Sequence, residues 1–347
     1  MKRRSMVVTA ALVAAAGVLA LSGCKAPTKL DAVWPAATSE PVVSRPAGPA
    51  RWPLTGLDAP SPEAVTTRIV SVKIENAPGA RPQSGLDQAD IVYETLTEGG
   101  ITRFNALFQS HSPKTVGPVR SARPSDFSIV PQYHALFAHC GADIQVRQVL
   151  SDHTKFDDMD QFFNPSPYRR VSDRPAPHNL YMSVPKLRSV AISKRGYDAT
   201  ETVRGLDFVH AATTATPTVR TIGVAFSASN DVTWKYDVAR HVYKRSINGK
   251  PHVDRVSGVQ YTARNVVVLW ATERRYTAAH NAQLLEIGLT GTGRASVFRD
   301  GQRYDGTWQA SATSPPVLRA SDGSLIGLDA GNTWFQVIGN DQDIMMN

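Results

Sequence analysis

The chain has 347 residues, 42% of them hydrophobic and 20% charged, with 24 glycines, 23 prolines and 2 cysteines. That apolar content at this length builds a substantial core, excludes a collagen-like or wholly disordered chain, and suits two domains. Two cysteines exclude a disulfide scaffold, and a net charge of +8 with no Lys/Arg run or reading motif argues against nucleic acid and for anionic lipid headgroups or wall polymers.

The first segment, 1–23, reads as a secretory signal. Lys2, Arg3 and Arg4 precede an apolar run from Met6 to Leu21, shorter than the ~20 residues a membrane-spanning helix needs. Leu21-Ser22-Gly23-Cys24 follows and resembles the bacterial lipobox, whose cysteine is lipidated and becomes the mature N-terminus. A diacylglyceryl group and an amide-linked palmitate on Cys24 would supply the two or more acyl anchors that stable attachment requires. The expected address is the extracytoplasmic face of the cell membrane. Residues 24–52 carry Pro27, Pro35, Pro41, Pro46 and Pro49 among Ala, Ser and Thr, a tether reaching on the order of 30 Å.

From 53 to 205 strand-like and helix-like stretches alternate. Arg68–Ile74, Ala89–Leu96, Ile101–Gln109, Thr115–Val119 and Ala135–Cys140 read as strands, and Pro124–Pro131, Ala142–Asp152 and Ser183–Lys194 as helices. From 206 to 347 the pattern changes to short alternating strands at Arg220–Phe226, Val232–Tyr236, His241–Ile247, Val266–Trp270, Gln283–Leu289, Ala295–Arg299 and Trp334–Ile338. Asn248-Gly249 and Asp300-Gly301 mark hairpins. The expected class is α+β: an N-terminal α/β domain followed by a smaller, mainly antiparallel β domain.

Three segments hold candidate site residues. Tyr93-Glu94-Thr-Leu-Thr-Glu98-Gly99-Gly100-Ile-Thr-Arg103 reads as a hairpin whose first strand carries Asp90, Glu94 and Glu98 on one face by period two. Glu94 and Glu98, about 13 Å apart along a strand, are too distant to be an acid–base pair with each other, though each is a candidate paired with a group from elsewhere. Gly117-Pro-Val-Arg120-Ser-Ala-Arg123-Pro124 places arginines where a strand gives way to a helix N-terminus, and with Arg103 these form the expected anion site. Pairing of the same arginines with Asp90, Glu94 or Asp126 is the structural alternative. Arg174-Pro-Ala-Pro-His178-Asn179-Leu-Tyr181 reads as a loop in which His178 and Asn179 orient a ligand or move a proton, against the plainer role of loop structure.

Other signatures fail. No histidine pattern supports a metal, and no Gly-x-Ser-x-Gly elbow or phosphate-cradling loop is present, so no cofactor is expected. Ser183-Val-Pro-Lys186 fits an N-cap better than a serine nucleophile. Cys140, in an apolar run, reads as a buried inert thiol.

Pro53–Leu57, Ala80–Glu94, Glu98–Phe104, Gly117–Pro124, Ala176–Tyr181 and Gly331–Val337, in that order, resemble the YerB-like bacterial lipoproteins, a family of unknown function (DUF3048). The resemblance spans nearly all the mature chain and implies a two-domain, membrane-anchored lipoprotein. At the level of fold, the arginine-ended hairpin and Arg-rich turn resemble the LytR-CpsA-Psr glycopolymer transferases, which hold polyprenyl pyrophosphate with arginines and acids. The expectation is a non-catalytic envelope binding or scaffold protein with an Arg-rich anion site built on Arg103, Arg120, Arg123 and Asn179. It is held to the membrane by Cys24, and its partner is an anionic wall polymer, a lipid phosphate or an envelope protein. One alternative is an envelope glycopolymer phosphotransferase using Glu94, Glu98, Asp90 or His178; another is a solute-binding lipoprotein.

Overall fold

The structure, a computed structural model, describes residues 49–152, 155–209, 216–277 and 283–347. The signal segment, Cys24 and the tether up to residue 48 lie outside the described residues. The last tether residues already pair with the folded part, since Ala59 N donates to Ala50 O at 2.7 Å.

The strands of the first half are β1 (Val70–Glu75), β2 (Ile91–Leu96), β3 (Thr102–Phe108), β4 (Leu136–Ala138) and β5 (Asp157–Asp158). They do not form a sheet of their own. One ten-stranded sheet runs Val317–Arg319, Gln302–Ala310, Gly291–Arg299, Asn265–Ala271, Thr333–Gly339, β2, β3, β1, β4, β5. Thr333–Gly339 joins the halves, lying parallel to both Asn265–Ala271 and β2. The coarse class stands, a strand-rich α+β chain. The finer expectation of an α/β domain followed by a β domain does not describe the sheet, because residues on either side of 205 hydrogen-bond within it and Ala47–Asn347 forms one compact unit.

Every residue of β1, β2, β3, Asn265–Ala271 and Thr333–Gly339 is buried, as expected of central strands covered on both faces. A six-stranded antiparallel sheet, centred on Asn230–Asp237 and Val242–Ile247, covers one face. There Trp334 meets Trp234 edge-on at 5.2 Å and Phe104 at 5.6 Å. On the other face Tyr93 stacks on Phe335 at 4.5 Å and its hydroxyl lies 2.7 Å from that of Tyr133.

Helix is scarcer than expected. Pro124–Pro131 forms two 3-10 turns, Pro124–Ser128 and Pro131–Tyr133: Pro124 suits the first position of its turn, and Pro131, with no N–H to donate, does not continue a hydrogen-bond ladder from it. The α-helices are α1 (Ile144–Leu150), capped by Asp143 accepting from Gln145 N at 3.0 Å, and α2 (Val184–Arg195). Ser183 stands at the N-cap of α2, but its side chain makes no capping bond. Thr115–Val119 is not a strand but a line of isolated bridges, Val116 to Met182, Gly117 to Ser84 and Val119 to Ile74. The hairpin turns are as expected: Asn248-Gly249 and Asp300-Gly301 have positive φ throughout, as the tight two-residue turn demands.

Candidate functional site

Lys73 and Glu75 lie two residues apart near the end of β1 and share a face; their cross-strand partners on β3 are Asn105 and Arg103. On the other edge of β1 the segment 117–120 takes over where β4 ends. Glu75 N donates to Pro118 O at 3.0 Å and Arg120 N to Lys73 O at 2.9 Å. This sets Arg120 beside Glu75, with Nε 3.2 Å from Oε1. The second Glu75 oxygen lies 2.9 Å from His178 Nδ1. Glu75 is 1% exposed, whereas Arg120 and His178 retain 27% and 25%. A buried carboxylate thus fixes two half-buried side chains at the surface.

Beside this triplet Arg123 Nε lies 2.8 Å from each oxygen of Glu98, and Arg123 Nη2 also bonds Glu98 Oε1. Arg103 Nη2 is 3.6 Å from the same oxygen. Burial works to raise the Glu98 pKa, but the bonds and charge of Arg123, with Arg103 behind, hold the carboxyl down at about 2. Arg103 is pulled down to about 9 by burial and by Arg123 nearby. Its Nη1 donates to Ser121 O at 2.5 Å, while its Nε has no hydrogen-bond partner.

The expected helix N-terminus is not open to a ligand. Arg123 N donates to Asp126 Oδ2 at 2.7 Å, and the other Asp126 oxygen takes Lys73 Nζ at 2.5 Å. Lys73 is wholly buried, and burial lowers its pKa. Four cations, Lys73, Arg103, Arg120 and Arg123, therefore meet three acids, Glu75, Glu98 and Asp126.

The other expected residues lie elsewhere. β2 ends at Leu96, and the turn Glu98–Gly100, with Gly99 at φ 73°, carries Glu98 to the Arg103 face. Glu94 pairs across the strands with Phe104 and faces the opposite side, where Arg245 Nη2 bonds its oxygens at 3.0 and 2.9 Å. Asp90, at the far end of β2, accepts from the backbone N–H of Gln109 and Ser110 at 2.6 and 2.9 Å. Asn179 closes its own hairpin, accepting from Arg170 Nη1 at 2.8 Å and donating to Val171 O at 3.0 Å. Cys140 is half-buried, its thiol pushed up by burial, with Sγ 3.6 Å from Gln161 Oε1. The structure brings together Glu98, Arg103, Arg120, Arg123 and His178, and leaves Asp90, Glu94 and Asn179 outside.

Sequence reasoning missed Glu75, Lys73 and Arg245. The signal was present: Lys73 and Glu75 interrupt an apolar strand, and Arg245 shares its phase with the buried Tyr243 and Ile247.

The fold and this cluster define a strand-rich α+β protein with buried charge and a half-open set of arginines. Residues 54–198 match the Protein of unknown function (DUF3048) N-terminal domain and residues 222–335 the DUF3048 C-terminal domain. Over 295 residues the chain is 31% identical to the Bacillus subtilis protein named "Putative lipoprotein YerB", spanning 82% of this chain and 85% of that one. The crystal structure of YerB protein from Bacillus subtilis aligns with a TM-score of 0.76 at 29% identity, over 86% of this chain and 99% of that one. The chain belongs to the DUF3048 family of YerB-like lipoproteins. The relative's name agrees with the membrane anchoring expected from Cys24.

Proposed function

We propose that this protein is a lipid-anchored envelope binding protein whose Arg120–Arg123 surface takes an anionic group of a wall polymer, a lipid phosphate or an envelope partner on the extracytoplasmic face. The observation that carries the reading is the convergence of three arginines at one end of β1 and β3, two of them reaching solvent at 27% and 12% exposure. Guanidinium forks fixed by a buried carboxylate and backbone carbonyls are ready to bind oxyanions with little ordering cost. The carboxylates expected as acid or base are committed, Glu94 to Arg245 and Asp90 to backbone N–H groups, which supports binding over chemistry.

A second reading is favoured by one pair. Glu75 holds His178 by Nδ1 beside Arg120, the arrangement in which a carboxylate orients an imidazole for proton transfer next to a bound phosphate. This is the phosphotransferase alternative.

The test is the melting temperature of the full-length protein in detergent with polyprenyl phosphates, teichoic-acid fragments and peptidoglycan fragments, beside an Arg120→Ala/Arg123→Ala variant. A phosphorylated ligand is expected to raise the wild-type value and leave the folded variant unmoved. No shift with any ligand sinks the anion site, and turnover of a bound phosphorylated substrate that is lost in His178→Gln would favour the second reading.

A further inference from the structure

The Glu98 carboxylate is held as a ligand would be. It sits across the Nε–Nη2 edge of Arg123, is approached by Arg103 Nη2 at 3.6 Å, and still keeps 31% of its side chain in solvent. The turn that carries it is open on one side. Gly99 and Gly100 both have positive φ, 73° and 69°, and nothing lies within 4 Å of the position a Cβ on Gly99 would take. The hairpin is closed independently of the Glu98 side chain, by Thr97 N donating to Ile101 O at 2.8 Å and by Ser227 Oγ and Asn230 Nδ2 donating to Gly100 O, the latter at 3.0 Å, so displacing the Glu98 carboxylate breaks none of these bonds.

From this geometry we infer that the position occupied by the Glu98 carboxylate is the seat of the ligand's anionic group, and that Glu98 is an internal competitor selecting a phosphate-class dianion. The inference rests on the anion-site reading above. Removing Glu98 from the balance leaves four cations facing Glu75 and Asp126 alone. A monoanion entering the seat only repeats the charge it displaces. A phosphate monoester, carrying about −1.5 to −2 near neutral pH, leaves the cluster closer to neutral and offers three acceptor oxygens where Glu98 offers two. Arg103, buried and with its Nε unpartnered, has donor capacity to spare for the additional oxygen. Glu98 thereby acts as a threshold: carboxylate groups exchange with it at no gain, and phosphate groups displace it.

The experiment is titration calorimetry of the full-length protein with inorganic phosphate and with acetate, at pH 7.5 and constant ionic strength, for wild type, Glu98→Gln and Glu98→Ala. Wild type is expected to bind phosphate and not acetate. Both variants are expected to bind phosphate at least tenfold more tightly and to gain acetate binding. Thermal unfolding of each variant checks that it is folded. Phosphate binding to wild type that the folded variants leave equal or weaker overturns the competitor while sparing the anion site. Absence of phosphate binding in wild type and both variants overturns the inference together with the anion-site reading.

Discussion

Arg245 and Glu94 form an ion pair of 2.9 Å in which both side chains are wholly buried. It crosses between the six-stranded and ten-stranded sheets, and the guanidinium lies 5.2 to 5.7 Å from the rings of Trp334, Trp234 and Phe104. Asn76 Nδ2 and Thr102 Oγ1 also donate to Glu94, at 3.2 and 2.8 Å. Glu94 is therefore the electrostatic clasp of the two sheets and has no part in a surface site.

Replacing one partner strands the other. Arg245→Met leaves Glu94 buried without its cation, with Asn76 and Thr102 as remaining donors, and is expected to cost about 3–5 kcal/mol in urea unfolding, while Arg245→Met/Glu94→Leu recovers part of the loss. A single-variant loss below about 1 kcal/mol would mean that the pair is not desolvated as described.

At the surface the balance differs. Arg120→Ala leaves Glu75 with His178 as its side-chain partner, and its expected cost is about 1–3 kcal/mol. Arg120→Lys restores charge but not the planar fork, so it should recover stability and not phosphate affinity. Equal recovery of both would show that charge alone serves the site.

Gly79 lies against the His178 ring. A Cβ there would stand 3.2 Å from His178 Nε2, close enough to push the imidazole a few tenths of an ångström. Gly79→Ala should shift the His178 ring resonances and weaken any phosphate binding that depends on the ring, with global stability nearly unchanged. Unshifted resonances would show that the loop, not the ring, yields.

Stability should fall on both sides of neutrality. The Glu98 carboxyl drops from its ordinary value of 4.5 to about 2 in the fold, so its contribution is full above 4.5 and is lost as pH falls through about 2. His139 has the opposite sign. Burial opposes its charge, but its ring bonded to Asp158 at 2.8 Å has a raised pKa, so its contribution is full below 6.5 and is lost as pH rises through the folded value. Glu98→Gln should flatten the acid limb alone, and His139→Gln the alkaline limb alone, in melting temperature measured against pH.

How far the sequence spoke depends on distance along the chain. The hairpins at Asn248-Gly249 and Asp300-Gly301, and the three-residue turn Glu98–Gly100, are legible because a tight turn writes its glycine requirement locally. The gathering of Arg103, Arg120 and Arg123 is legible for a related reason: two lie in one short segment and the third follows an obvious turn. Pairings of remote residues are not. Glu75 meets His178 across 103 positions and Glu94 meets Arg245 across 151, contacts fixed by sheet order, which no local periodicity encodes. The departure at Glu98 is subtler. Period two holds only while the strand lasts, and β2 stops at Leu96.

Thr333–Gly339 fills the slot between Asn265–Ala271 and β2 and follows every other strand of that sheet in chain order. A chain made N-terminus first delivers β1, β2 and β3 long before the strand that closes them. Until then β2 presents an unpaired edge of backbone donors and acceptors, the kind that recruits other chains. Completion of the sheet must wait for Thr333–Gly339, so a nascent chain interrupted after residue 330 has its sheet open on both sides of the gap. Folding of this protein thus has a vulnerable interval set by the order of its strands, and the arrival of Thr333–Gly339 ends it.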